Sequence, residues 1–348
     1  MTKGFPVYIL LLLLSCSLVV PSGGTPVSRT APKSTHDGTI LYVGGSGPGN
    51  YTTIQNAIDA AANGDTVYVY DDASPYHENI VISHAISIVG ERRETTVIDG
   101  TGLFLDIVTV TADDVTIRNL TVQSSPCSGV LIQASGALVD SVTVQNCHNI
   151  GVDLSRTGFS PLEANVVTDS TIANNSLGIH LWICNRTLVT RNLIFHNSLG
   201  IKIEYSFNDN VSLNLIRSNT DGIQAWYSGA ISIYKNNISE ANMGIEEICS
   251  CGNYVIANNF NNDGMYARFT RSWDEIKALQ DASQYHNYYF LDNFEIFSLT
   301  SWDANYWGSP VSIYPIFGYN DYIDWLPLLA KLRIRVDWHP AQVPYDIP

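Results

Sequence analysis

Positive charge is scarce in this sequence. Of 348 residues, 18 are Lys or Arg against 33 Asp or Glu, which leaves a net charge of −15. A surface so short of cations excludes nucleic acid and anionic surfaces as partners, and it disfavours polyanionic sugars unless a cation mediates. Cysteine is sparse: six in all, of which Cys16 lies near the start, leaving an odd five. An odd set in a chain this long is no disulfide framework of the small secreted kind. Eight His and three Met are scattered rather than clustered, so no metal and no cofactor is expected.

What is present begins with a leader. Lys3 precedes the apolar run VYILLLLLSCSLVV and then PSGGTP, the order of a secretory signal. The run is shorter than the ~20 apolar residues of a membrane span. Residues 1–24 are therefore expected to be a signal peptide that directs the protein to the outside or the cell surface. A retained anchor, or lipid at Cys16, would tie it to the cell envelope. Residues 25–40 are rich in Ser, Thr, Pro and Gly and read as a linker. Six Asn-x-Ser/Thr sites begin at Asn50, Asn119, Asn174, Asn185, Asn210 and Asn237.

The remaining ~310 residues repeat. NSLGI occurs at Asn175–Ile179 and again at Asn197–Ile201, 22 residues later. Glycines fall at 129, 151, 178, 200, 222, 244 and 264, in steps of 22, 27, 22, 22, 22 and 20. Asn192, Asn214, Asn236 and Asn258 keep the same step, as do Asn175, Asn197 and Asn219. A fixed period of this size signals a solenoid. The Leu consensus of leucine-rich repeats is absent. The short β-rich pieces, broken by Asn, Ser and Gly, fit one coil of a parallel β-helix each. Successive coils then stack about 4.8 Å apart and like residues form ladders. Ahead of the coils, YTTIQNAIDAA pairs Thr52 with Gln55 at capping-box spacing and puts Ile54, Ala57, Ile58 and Ala61 on one face, an amphipathic helix suited to cover one end. After Gly264 the pattern loosens. RSWDEIKALQDAS reads as a helix from Ser272, and five of the seven Trp (273, 302, 307, 325, 338) suit an aromatic cap at the other end. The expected domain spans 41–329, less regular over 265–329, with a tail over 330–348.

Several segments resemble the right-handed parallel β-helix proteins of the pectin-lyase-like superfamily, and more closely the NosD-like, or carbohydrate-binding and sugar-hydrolysis (CASH), repeat proteins. GNYTTIQNAIDAAANGDTVYVY, YHENIVI, ISIVGE and TVIDG look like that group's opening segment, and DANYWGSP with YIDWLPLL like its closing one. The resemblance covers roughly Leu41–Leu329. It implies an all-β, single-stranded, right-handed parallel β-helix of ~22 residues per coil with extracellular carbohydrate as partner. The catalytic motifs of pectin methylesterases, mannuronan epimerases and polygalacturonases within this fold are absent. The NosD name implies copper-site maturation, for which the scattered His and Met offer no site.

Strand alternation locates the candidate site. After each repeat Gly, positions +1 and +3 are mostly apolar and point inward, so +2 and +4 point outward. The +2 column reads Leu131, Asp153, His180, Lys202, Gln224, Glu246, Tyr266, and the +4 column Gln133, Ser155, Trp182, Glu204, Trp226, Ile248, Arg268. Trp182 and Trp226 are thus expected two coils, about 9.6 Å, apart on one outer face. Rings so spaced suit stacking on a polysaccharide, with His180, Asp153 and Gln224 bonding its hydroxyls. The alternative is burial of both rings under a loop or the C-terminal segment. An enzyme on the same face would use Glu204 and Glu246 as an inverting carboxylate pair, or Lys202 as the base of a lyase. A monomer that only builds a surface is the third reading. Elsewhere, Tyr76-His77-Glu78 reads as structural and Cys127 with Cys147 as a disulfide. Cys249-x-Cys251 supplies only two metal ligands. Asp209, Asp221, Asp303 and Asp324 read as turn residues.

Overall fold

The computed structural model describes residues 38–158, 160–248, 250, 252–261, 265–271, 301–307, 314–320, 332–337 and 339–347, the strands around 265–271, 314–320 and 332–336 by their backbone. The leader, most of the linker, the expected helix from Ser272, Trp273, Trp325, Trp338, Asp324, Cys249 and Cys251 lie outside the described residues. No helix among the described residues is long and apolar enough to cross a membrane.

Among the described residues three long sheets of mostly parallel strands wind around one core, beside a parallel pair of two-residue strands, Leu162–Glu163 and Cys184–Asn185. The first has eleven strands, running from Ile40–Val43 to Ser301–Asp303, and the second nine, from Val97–Asp99 to Tyr306–Trp307. The third also has eleven, from Ile80–Ile82 to Leu332–Asp337. Each strand pairs with its counterpart one coil away, as in Ile201 between Ile179 and Ile223. The final pairing differs: 332–337 runs antiparallel to Tyr314–Asn320. The stretch expected as a tail therefore contributes a strand to the third sheet.

Alternation builds the core. Val152, Ile179, Ile201, Ile223 and Ile245 form one buried column, and Leu154, Leu181, Ile203 and Ala225 the next. Glu247 follows in this second column, 1% exposed and accepting from Asn253 Nδ2 at 2.7 Å. The 22-residue period fixes the polar ladders as well. The Asn192 backbone N–H donates to Asn214 Oδ1, Asn214 to Asn236, Asn236 to Asn258 and Asn258 to Asn305, each at 2.9–3.0 Å. Asn175, Asn197 and Asn219 repeat the arrangement. A buried amide group must find a partner or forfeit its hydration, which is why the same residue recurs coil after coil. The repeat glycines answer to close approach: a Cβ on Gly200 would lie 2.6 Å from the Gly222 carbonyl oxygen.

Three local expectations need correction. The helix Ile54–Ala60 buries Ile54, Ala57 and Ile58, but its N-cap is Thr53 rather than Thr52. Gln55 does not close a capping box; it bonds Asp59 and the Val81 N–H. The free N–H groups of Ile54 and Gln55 are taken instead by Glu78, at 2.9 and 3.1 Å, a carboxylate at the positive end of the helix. Cys127 and Cys147 form no disulfide: both are free thiols, and so is Cys184. The Cys127 sulfur faces the Phe104 carbonyl and the Cys147 sulfur that of Gln145. Lastly, the outward row does not continue through Tyr266, and Gly264 lies outside the described residues. Arg268 stands opposite Glu246, 22 residues on, the same step that separates His180, Lys202, Gln224 and Glu246.

Candidate functional site

The site lies on the outer face of the third sheet, on Ile150–Leu154, Leu177–Trp182, Leu199–Glu204, Asp221–Trp226 and Met243–Ile248. Register places Asp153, His180, Lys202, Gln224 and Glu246 in one row across these strands. Trp182, Glu204 and Trp226 form a second row, with Glu204 between the two rings. The strands exit through a third ladder that sequence reasoning did not use. The Cys184 N–H donates to Ser206 Oγ, Ser206 to Ser228 and Ser228 to Ser250, at 2.9–3.2 Å. Ahead of each ladder residue, Ile183, Tyr205 and Tyr227 take φ values of 52°, 52° and 49°. Side chains other than Gly, Asn and Asp seldom occupy this left-handed region, and the serine ladder directly behind holds them there.

Four side chains form a continuous electrostatic chain, Asp153–His180–Glu204–Lys202. His180 Nδ1 lies 3.0 Å from Asp153 Oδ1, and its Nε2 lies 2.9 Å from Glu204 Oε2. Only an imidazolium carries a proton on both nitrogens. Lys202 Nζ lies 3.1 Å from Glu204 Oε1 and 4.3 Å from the centre of the Trp226 ring. Burial pulls the His180 pKa down, but the Asp153 and Glu204 carboxylates outweigh it and hold the pKa above the ordinary value. Burial likewise pushes Glu204 up, and His180 and Lys202 outweigh it, so its pKa lies below the usual carboxylate value. In the next coils Gln224 Nε2 donates to Glu246 Oε2 at 2.7 Å.

The rings are half-buried rather than fully open. Trp182 packs edge-on against Tyr205 with centroids 5.1 Å apart, and Tyr205 stacks on Tyr227 at 5.1 Å and 15°. Together they make an aromatic run along the strand exits. Tyr205 and Tyr227 were missed in the sequence. Their signal was present, since each directly follows a +4 residue and they stand one period apart.

Glu204 and Glu246 lie in outward rows, yet are only 6% and 7% exposed. Neighbouring side chains on the same face cover Glu204, so it presents little free oxygen to a ligand. Asp153 and Glu204 flank one imidazole. The ring fills the gap in which an inverting glycosidase holds its water. Lys202 has its ammonium engaged by Glu204 and Trp226.

The family model described as periplasmic copper-binding protein (NosD) matches residues 158–323. Among solved structures, pectate lyase Pel9A superposes with a TM-score of 0.50 at 12% identity, over 67% of this chain and 75% of that one. The XylC complex with xylose gives 0.52 at 10% identity, over 67% and 68%. This chain has the fold of a right-handed parallel β-helix. At such identities the likeness of the β-helix to these structures concerns its fold. No curated protein sequence matches the β-helix. The described residues do not fit copper. They bring together no group of three or more His, Cys, Asp and Glu side chains able to cage a metal. Both nitrogens of His180 face carboxylates, and burial holds the Cys184 thiol pKa well above its ordinary value.

Proposed function

We propose that this β-helix acts outside the cytoplasm or at the cell surface and binds polysaccharide along the Trp182–Glu204–Trp226 face. The single observation that carries this reading is the aromatic run Trp182–Tyr205–Tyr227 beside a row of fixed polar groups. A repeating polymer and a repeating solenoid match in kind, because sugar rings recur along the one as side chains recur along the other. Half-buried aromatic rings offer an apolar edge, while Asp153, His180, Gln224 and Glu246 fix the orientation of hydroxyls. The NosD match and the polysaccharide-related names of the solved structures of this fold agree with the reading. A hydrolase or lyase on the same face is less well supported, since Glu204 and Glu246 are both buried and already bonded, to His180 and Gln224, and a carboxylate engages Lys202.

The test is native electrophoresis through gels each cast with one polysaccharide, comparing wild type with Trp182→Ala/Trp226→Ala. Binding through this face retards the wild type and leaves the double variant unretarded. Equal mobility of the two in every gel would overturn the assignment. Clearing of the polysaccharide around the wild-type band would establish an enzyme instead.

A further inference from the structure

We infer that this face selects uncharged polysaccharide and rejects polyuronates, an inference that rests on the glycan-binding reading above. Its basis is the pairing of charges along the face. Asp153, His180, Glu204 and Lys202 form one quartet in which both cations are bound to carboxylates, at 3.0, 2.9 and 3.1 Å. With His180 as the imidazolium that its two contacts require, the quartet has no net charge. Its four side chains are between 8% and 23% exposed, so solvent weakens these pairs little. Beyond Lys202 the row continues with Gln224, which donates to the Glu246 carboxylate. The next register position, opposite Glu246, holds Arg268.

A uronate residue brings a carboxylate that must exchange its water for a charge-assisted partner. On this quartet both cations already have such partners, and an added anion would crowd the carboxylates of Asp153 and Glu204. Repulsion of this kind discriminates between ligands as directly as extra attraction does. A neutral sugar meets none of it. Its hydroxyls both donate and accept, so they can bond carboxylate oxygens and the Gln224 amide alike. The chain as a whole, at −15, opposes a polyanion further.

Glu204 is the residue that decides selectivity, because it neutralises His180 and Lys202 together. Glu204→Gln keeps the size of the side chain and removes the charge, leaving Lys202 without its carboxylate. The experiment measures retardation of wild type and Glu204→Gln in gels cast with xylan, galactomannan or mixed-linkage glucan, and in others cast with polygalacturonate or alginate. The expected result is retardation of the wild type by at least one neutral polymer and none by the uronates, with a several-fold gain of uronate retardation in Glu204→Gln at low salt. Uronate retardation of the wild type, matching or exceeding that by the neutral polymers and lost in Lys202→Gln, would overturn the selectivity while leaving the glycan face intact. Retardation by neither class would overturn both. The wild-type comparison stands whether or not the variants fold.

Discussion

At the scale of single residues, the same 22-residue step places chemically different groups in equivalent environments, and the exceptions are the informative ones. His180 has a carboxylate on each ring nitrogen. Below the ordinary histidine pKa of 6.5 the imidazolium is present in folded and unfolded chains alike, and its stabilisation is complete. It is lost as pH rises through the raised folded value. Glu204 behaves oppositely: its contribution is present above the ordinary 4.5 and is lost as pH falls through the lowered folded value. Thermal melts of wild type between pH 6 and 9 should therefore show a decline that His180→Gln flattens; parallel curves would refute the double contact. Asp209 is a third case. Asn165, Asp209 and Asn253 each accept one backbone N–H, from Ala137, Thr187 and Ile231. Asp209 thus does the work of an Asn, with its second oxygen buried and lacking any hydrogen-bond partner among the described residues. Burial pushes its pKa up to about 8 from 3.8. The folded chain then holds a proton that the unfolded chain releases, so stability falls as pH rises from about 4 to about 8 and levels off above. Asp209→Asn should raise Tm by about 2 °C or more at pH 8 and by much less at pH 4; a uniform shift would deny the linkage.

At the scale of the element, a strand of three to six residues has little stability alone, and each is held by the ladders at its ends. Asn214 shows this. Its Oδ1 accepts the Asn192 backbone N–H at 2.9 Å, and its Nδ2 donates to the Val189 carbonyl at 2.9 Å. Asn214→Ala strands a buried donor and a buried acceptor, a cost of about 1–3 kcal/mol for each unsatisfied group. Denaturant unfolding should show a lower midpoint with an unchanged slope. A midpoint within error of wild type would mean that water replaces the amide. The Asn and Gly ladders were legible because one residue type recurs at a fixed step. The serine ladder was harder to read, since Cys184 opens it and Ser is common in loops. The helix was legible from its apolar face, but its capping was not. Glu78 reaches Ile54 only because the chain has wound through a coil and returned.

At the scale of the whole molecule, a solenoid must end each ladder as well as each sheet. Here Asp337 ends the asparagine ladder that runs from Asn192 to Asn305. Fully buried, it accepts from the Asn305 N–H at 3.0 Å, from Trp307 Nε1 at 3.0 Å and from the His339 N–H at 3.1 Å. Trp307 in turn stacks on Phe260 at 4.6 Å. Further along, Asn259 and Tyr345 exchange hydrogen bonds through the Asn259 side chain at 2.8 Å. Removal of residues 330–348 would leave the Asn305 and Trp307 donors without their acceptor. The shortened chain should unfold at a lower denaturant concentration and over a broader transition, because the last coils would open first. An unchanged, single sharp transition would show that these contacts contribute nothing to cooperativity.

Sequence alone determined the architecture. Period, strand alternation and repeated Asn and Gly are local properties, and a stack of like coils turns them directly into a parallel β-helix. The same arithmetic put Trp182, Glu204 and Trp226 in one row, since register in a solenoid follows from counting. Only the tertiary structure decided what those residues do to one another. Which carboxylate reaches which ring nitrogen, and how deeply Glu204 is covered, depend on side-chain directions between coils. The register after Gly244, the Glu78 cap and the closure by Asp337 also join residues far apart in the chain. Such contacts are fixed by hydrogen-bond satisfaction in the packed state, for which a periodic pattern carries no signal.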